Sequence, residues 1–278
     1  MKQSSLERSK KVTTFLTYLA LIVGAIIMIF PFVWMILTSS KTVPESMQIP
    51  PTFFPAQWIT DNFKDAIASL PFMNLYLNTA LMIVFRVICA VVFSSMAGYA
   101  FAKLQFRGKN ILFGIILVQM SLPSQIFIIP QYQMVAKMGL ANTIFALVFP
   151  GLVTAFGTFL LRQAYMGLPR DLEEAARLDG CNIGQTFLFI MAPLTRSSMV
   201  ALGIFTAVFA YKDLMWPLIC NRDVMPLSAA LAKMQGQYSN NYPQLMAASL
   251  LACIPMIILY LVFQKQFIEG IATSGGKL

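Results

Sequence analysis

Long apolar runs, separated by short polar stretches, set the first constraint on this chain. A helix needs about 20 apolar residues to cross roughly 30 Å of hydrocarbon. Residues 12–37 meet that length without a charge, and 76–102, 111–130, 143–161, 199–219 and 245–263 approach or exceed it. The pattern predicts an all-α, polytopic membrane protein with six transmembrane helices, forming one domain over residues 1–278. The first run follows Lys2, Arg8, Lys10 and Lys11, as a signal peptide would. It is too long for a signal core and lacks a small-residue cleavage site, so a retained first helix is expected.

Composition sharpens this reading. Hydrophobic residues make up 58% and charged residues 11%, against about 25% charged in soluble domains. The net charge of +9 would suggest nucleic acid in a soluble protein. Here the basic residues flank apolar runs, so they are read as orientation signals, and no nucleic-acid partner is expected. Six spans put both termini on one side. That side holds the N-terminal four, Lys103, Arg107, Lys109, Arg162, Arg170, Arg177, Arg196, Lys265 and Lys277. The other holds Lys41, Lys64, Lys137, Arg222 and Lys233. Thirteen against five places the richer side, with both termini, in the cytoplasm.

The chain has no histidine, which removes imidazole as metal ligand, proton shuttle or catalytic base. Cys89, Cys181, Cys220 and Cys253 are widely spaced. Neither a structural disulfide nor a zinc site is expected.

The polar segment 162–196 cannot lie in hydrocarbon and reads as a cytoplasmic loop. Pro169 suits a first helical turn. Asp171, Glu173 and Glu174 would meet the positive end of the helix dipole, and Gly180 can stop the helix in a left-handed conformation. A helix over 169–179 is predicted. Leu172, Ala175, Ala176 and Asp179 would share a narrow face of small residues, suited to close approach by another protein. From the residues alone, an ordinary connecting helix fits as well.

The loop carries a longer pattern: Glu174-Ala175-Ala176, three residues, Gly180, nine residues, Ile190, two residues, Pro193. This resembles the EAA loop of membrane permeases in binding-protein-dependent ABC importers. The similarity continues through Ala97-Gly98-Tyr99-Ala100-Phe101-Ala102-Lys103, Leu122-Pro123-Ser124-Gln125, Gly139-Leu140-Ala141-Asn142-Thr143 and Gln266-Phe267-Ile268-Glu269-Gly270. It is nearest to the six-span permeases of carbohydrate importers. Ala192 before Pro193, and Lys212-Asp213 in the fifth span, depart from the usual pattern.

The resemblance implies a subunit that forms half of a sugar pathway and docks its EAA helix on an ATPase dimer. Glu174 would contact the ATPase, Ala175 and Ala176 would allow close packing, and Asp179 and Gly180 would shape the protruding end. The expected partners are a second permease subunit, making a heterodimer, two ATPase copies and an extracytoplasmic binding protein. The bilayer surrounds the chain in a bacterial or archaeal cytoplasmic membrane. The chain lacks a Gly-x-x-x-x-Gly-Lys-Ser/Thr phosphate loop. It is therefore expected to be no enzyme and to bind no cofactor itself, Mg-ATP belonging to the partner. Importers of glycerol-phosphate or other small polar solutes share these motifs.

Polar residues within the spans are functional candidates by default. Gln119 and Ser121 beside Pro123, and Lys212, Asp213 and Trp216, could line a pathway; packing between helices explains the first two equally. Lys212 and Asp213 could neutralise each other at a pathway mouth or occupy a helix break near water. Arg86 could face a partner or snorkel. The loop 220–244, with Gly236, Tyr238, Asn240, Asn241 and Tyr242, is a candidate contact surface or a plain connector. The competing class is an ion-gradient-driven transporter, which usually shows inverted repeats and intramembrane carboxylates. No repeat is evident, and Asp213 is the one acidic residue placed in a span.

Overall fold

The computed structural model describes residues 2–235 and 241–275. Gly236, Tyr238 and Asn240 lie outside the described residues. The elements run α1 (Lys2–Ser39), α2 (Val43–Ser46), α3 (Asp61–Ser69), α4 (Phe72–Lys103), α5 (Lys109–Ser121), α6 (Ile128–Lys137), α7 (Ile144–Val148) and α8 (Ala155–Met166). There follow α9 (Asp171–Leu178), α10 (Ile183–Gln185), α11 (Ala192–Leu194), α12 (Arg196–Lys212), α13 (Met215–Cys220), α14 (Leu227–Met234) and α15 (Tyr242–Gly275). All regular structure among the described residues is helical.

Three helical stretches are long and apolar enough to cross a membrane unbroken: Lys10–Ser39, Phe72–Lys103 and Tyr242–Gln266. Three bent pairs reach the same standard: Lys109–Ser121 with Ser124–Lys137 at 106°, Ile144–Gly151 with Ala155–Met166 at 47°, and Ile183–Leu194 with Arg196–Lys212 at 76°. Counting each pair as one span gives six.

The bends correct the predicted boundaries. The third run breaks at Leu122-Pro123, because proline cannot donate a helical hydrogen bond and disfavours helix in the residue before it. The fourth passes through a tight turn, Phe149–Gly151, and restarts where Thr154 Oγ1 accepts from Gly157 N at 3.0 Å. The fifth stops at Lys212 instead of continuing to 219, and Met215–Cys220 is a separate short helix.

The fold divides into two compact units. In the first, Met1–Leu70 with Met234–Cys253, the proline-rich segment 38–70 is held by its own hydrogen bonds. Lys41 is buried and donates to Thr52 O, with its ammonium 4.9 Å from the Trp34 ring centroid. Asn62 Nδ2 donates to Ser39 O and Lys41 O, both at 2.9 Å. Glu45 Oε1 accepts from Thr52 Oγ1 and Ala56 N. Gln244 Nε2, on the first turn of α15, donates to Asp65 O at 3.1 Å.

The second unit, Pro71–Lys233 with Ile254–Leu278, is built around α4, against which α8 and α12 pack. Small residues set the α4–α8 approach. A Cβ on Gly98 would stand 2.8 Å from Arg162 N and 3.0 Å from Leu161 C, so backbone meets backbone there. At the other end of this unit Asn142, at φ 60°, clasps a distant loop. Its Oδ1 accepts from Arg222 N, Asp223 N and Val224 N, and its Nδ2 donates to Asp223 Oδ2 at 2.8 Å. Asparagine tolerates the left-handed region better than most residues.

Gly98→Ala should force α4 and α8 apart, because the obstructing atoms are backbone. The expected cost is about 1–3 kcal/mol, read as a lower thermal-unfolding midpoint of the detergent-purified protein. An unchanged midpoint would mean the helices can separate freely at this point.

Candidate functional site

The predicted loop helix forms, slightly shorter than expected, at Asp171–Leu178. Asp171, Glu173 and Glu174 occupy its first turn and Arg177 its last. This distribution opposes the helix dipole at both ends. Gly180 adopts φ +83°, Cys181 N donates to Ala176 O at 2.9 Å, and Gly180 N donates to Arg177 O at 3.1 Å. That is a Schellman stop, which satisfies carbonyls the helix end would otherwise leave open. Asn182 and Gln185 then cap the next turn reciprocally, each backbone N donating to the other's side-chain oxygen at 2.9 Å. A π-helical turn, Thr186–Met191, carries Ile190 against the core, and Pro193 opens α11. The spacing Gly180–Ile190–Pro193 thus encodes a stop, an anchor and a restart.

The helix shows two faces. Ala176 is buried, and Leu172 is partly buried against Tyr99, Leu161, Tyr165, Met191 and Leu202. Glu174, Ala175, Asp179 and Gly180 are exposed. The expected face of Leu172, Ala175, Ala176 and Asp179 is therefore split: Ala176 serves the chain's own packing and is closed to a partner, whereas Ala175 is open.

Glu173 was not singled out from the sequence, yet it turns inward. Tyr99 Oη donates to its Oε1 at 3.1 Å, and Lys103 Nζ lies 4.0 Å from Oε2. Lys103 also donates to Leu168 O at 2.8 Å, and Arg162 Nε donates to Phe101 O at 3.1 Å. These cations, counted above only as orientation signals, also close carbonyl groups at helix ends and turns. The signal available in sequence was the pair Glu173-Glu174 at the start of an amphipathic helix, where adjacent residues cannot share a face. Beside Glu173 a cleft of about 570 Å³ is lined by Tyr99, Glu173, Arg177, Cys181, Asn182 and Thr186, among others.

The pathway candidates occupy different environments. Gln119 and Ser121 are exposed on α5, and Lys212 is exposed at the end of α12. Trp216 is buried, its Nε1 donating to Ala146 O at 2.7 Å, so it packs the interior and does not line an open path.

Lys212 is not the partner of Asp213. Asp213 instead pairs with Arg86, whose Nη2 lies 2.8 Å from Oδ2. The pair is close but poorly aligned for a hydrogen bond, so charge dominates the contact. Arg86 Nε donates to Leu147 O at 2.7 Å. Arg86 is buried and neither snorkels nor faces outward. Gly151 admits its side chain: a Cβ there would lie 2.8 Å from Arg86 Cγ and Cδ. Asp213 follows the end of α12, as the helix-break alternative required.

Six apolar stretches, with a polar helix braced against the end of α4, fit a polytopic membrane protein. Residues 90–272 match the family described as binding-protein-dependent transport system inner membrane component. The arabinooligosaccharides transport system permease protein AraQ of Halalkalibacterium halodurans is 34% identical over 91% of this chain and 92% of its own. The lactose transport system permease protein LacG of Rhizobium radiobacter is 27% identical over 92% and 94%. The sn-glycerol-3-phosphate transport system permease protein UgpE of Salmonella typhi is 28% identical over 94% and 96%. A chain of a bacterial ABC transporter that imports the acidic polysaccharide alginate shares the fold, with a TM-score of 0.78 at 23% identity over 94% and 98% of the two chains. The chain belongs to the family of binding-protein-dependent transport system inner membrane components, and is the permease subunit of an ABC importer, not its ATPase.

Replacing Asp213 by Asn should leave the buried Arg86 charge without its counterion. The expected loss is about 3 kcal/mol, the lower end of the range for breaking a buried pair, since Asp213 is partly exposed. Arg86→Met with Asp213→Leu should recover more than half of it. Thermal unfolding of the three proteins in one detergent checks this; a double variant no better than the single would deny the pair its assigned weight.

Proposed function

We propose that this chain forms half of the translocation pathway of a carbohydrate importer and receives force from an ATPase dimer at α9. The observation that carries this reading is the two-faced helix: Ala176 and Glu173 fix it to the body, and Glu174 and Ala175 stay free for a partner. Glu174 is the polar contact with the ATPase, Ala175 permits close packing, and Asp179 with Gly180 shapes the end of the docking surface. The thirteen-to-five distribution of basic residues supports a cytoplasmic α9 and cytoplasmic termini. With no phosphate loop of its own, the chain leaves Mg-ATP to the partner, binds no cofactor and catalyses no reaction. A longer permease homologue completes the pathway as a heterodimer, and an extracytoplasmic binding protein delivers the solute.

Carbohydrate is the favoured solute because relatives are named for arabinooligosaccharides and lactose. Another relative is named for sn-glycerol-3-phosphate, which keeps a phosphorylated polyol as the second reading. The intramembrane acid is tied to Arg86, so a proton- or sodium-coupled cycle gains no free carboxylate there.

Mild-detergent purification of the tagged chain from its own membranes should recover an ATPase and a second permease. Recovery of this chain alone, from membranes whose other complexes survive, would overturn the reading. Gly180→Val should abolish uptake while leaving the protein in the membrane. A β-branched residue at φ +83° is strained by about 1–2 kcal/mol and displaces the stop. Uptake at the unaltered rate, at equal membrane abundance, would remove Gly180 from the docking end.

A further inference from the structure

We propose that Glu173, bound by Tyr99 and facing Lys103, is the tie that passes movement of α9 to α4. The proposal deepens the coupling reading above and rests on it.

An eight-residue helix is not stable alone, since helices below about 12 residues are marginal in water. To act as a lever, α9 must be joined stiffly to the body it moves. Its apolar contacts through Leu172 and Ala176 hold it close but have no fixed direction. Glu173 differs. Among the described residues it is the α9 side chain that hydrogen-bonds to α4. Its side chain is only 12% exposed, and a polar group so shielded costs free energy unless it is hydrogen-bonded.

The receiving end is rigid. Tyr99 stands edge-on to Tyr165, centroids 5.6 Å apart at 73°. The Tyr165 hydroxyl is 2.6 Å from Ser95 Oγ, one turn earlier on α4. One turn later, Lys103 donates to Leu168 O in the segment leading into α9. Helix and lead-in are therefore both fastened to the last turns of α4. The adjacent glutamates divide the work: Glu174 meets the partner, and Glu173 meets the membrane body. Glu173 is a positioning residue, with no part in ATP chemistry.

The test uses the intact complex with its ATPase, purified as wild type, Glu173→Gln, Tyr99→Phe and the double variant. Amide hydrogen exchange is followed with and without ATP and vanadate, which needs no knowledge of the solute. In wild type, nucleotide should change exchange both in α9 and in residues 99–109. In each variant the α9 response should persist, while the response at 99–109 shrinks about ten-fold, the factor expected for one charge-assisted hydrogen bond. The double variant should be no worse than the more impaired single variant. An unchanged response at 99–109 in the variants, or none in wild type, would overturn the proposal. So would failure of both single variants to assemble with the ATPase, which would assign the contact to folding alone. If wild type itself recovers no ATPase, the coupling reading falls, an outcome visible before any variant is made.

Discussion

A helix interrupted within hydrocarbon frees backbone groups that no water can reach, and the protein must satisfy them itself. Arg86 is this chain's answer at two interruptions. It donates to Leu147 O, beside the turn where the fourth span bends, and pairs with Asp213, where the fifth stops. Both lie at C-terminal ends of helices, where partial negative charge collects. Gly151 leaves room for the side chain, and Trp216 closes a neighbouring carbonyl at Ala146. The breaks are thus built into the interior, with their own donors supplied by α4 and α13.

The same economy governs the membrane edge. Lys103 and Arg162 close carbonyls at Leu168 and Phe101, and Lys109 Nζ donates to Leu104 O at 2.7 Å. Basic residues gathered there serve two ends: they bias the orientation of the spans and they finish helices. The loop carrying α9 is held by this frame and by the aromatic contacts of Tyr99, Tyr165 and Phe187. It is a braced projection and not a free connector.

Much of this was legible in the sequence. Six apolar runs, their polar punctuation and the Glu174–Gly180–Ile190–Pro193 spacing lead to the spans and to α9, because hydrophobic length and turn chemistry are local properties. What escaped was relational. Glu173 and Glu174 are identical in sequence terms, and only the register of α9 on the core separates them. Ala176 reads as a partner-facing small residue until Leu172 is seen to share its buried side. Arg86 and Asp213 lie far apart in the chain, and nothing local joins them; Lys212, adjacent, was the obvious and wrong companion for Asp213. Trp216 reads as a pathway aromatic until its indole N–H is found spent on Ala146. Pro123 and Pro193 mark in the sequence where the third and fifth runs are interrupted, but not by how much: an apolar run reports how much chain hydrocarbon accepts, not the angle at which that chain bends.

The Arg86–Asp213 pair also bears on how the chain is made. α4 leaves the ribosome long before α12, so its arginine enters the bilayer while its counterion does not yet exist. A lone arginine at mid-helix costs about 2.5–3.5 kcal/mol on insertion scales, which the many apolar residues of α4 outweigh. Leu147 O becomes available first, then Asp213. Order of synthesis therefore prescribes an order of closure, in which the second span waits, partly unfinished, for the fifth to arrive.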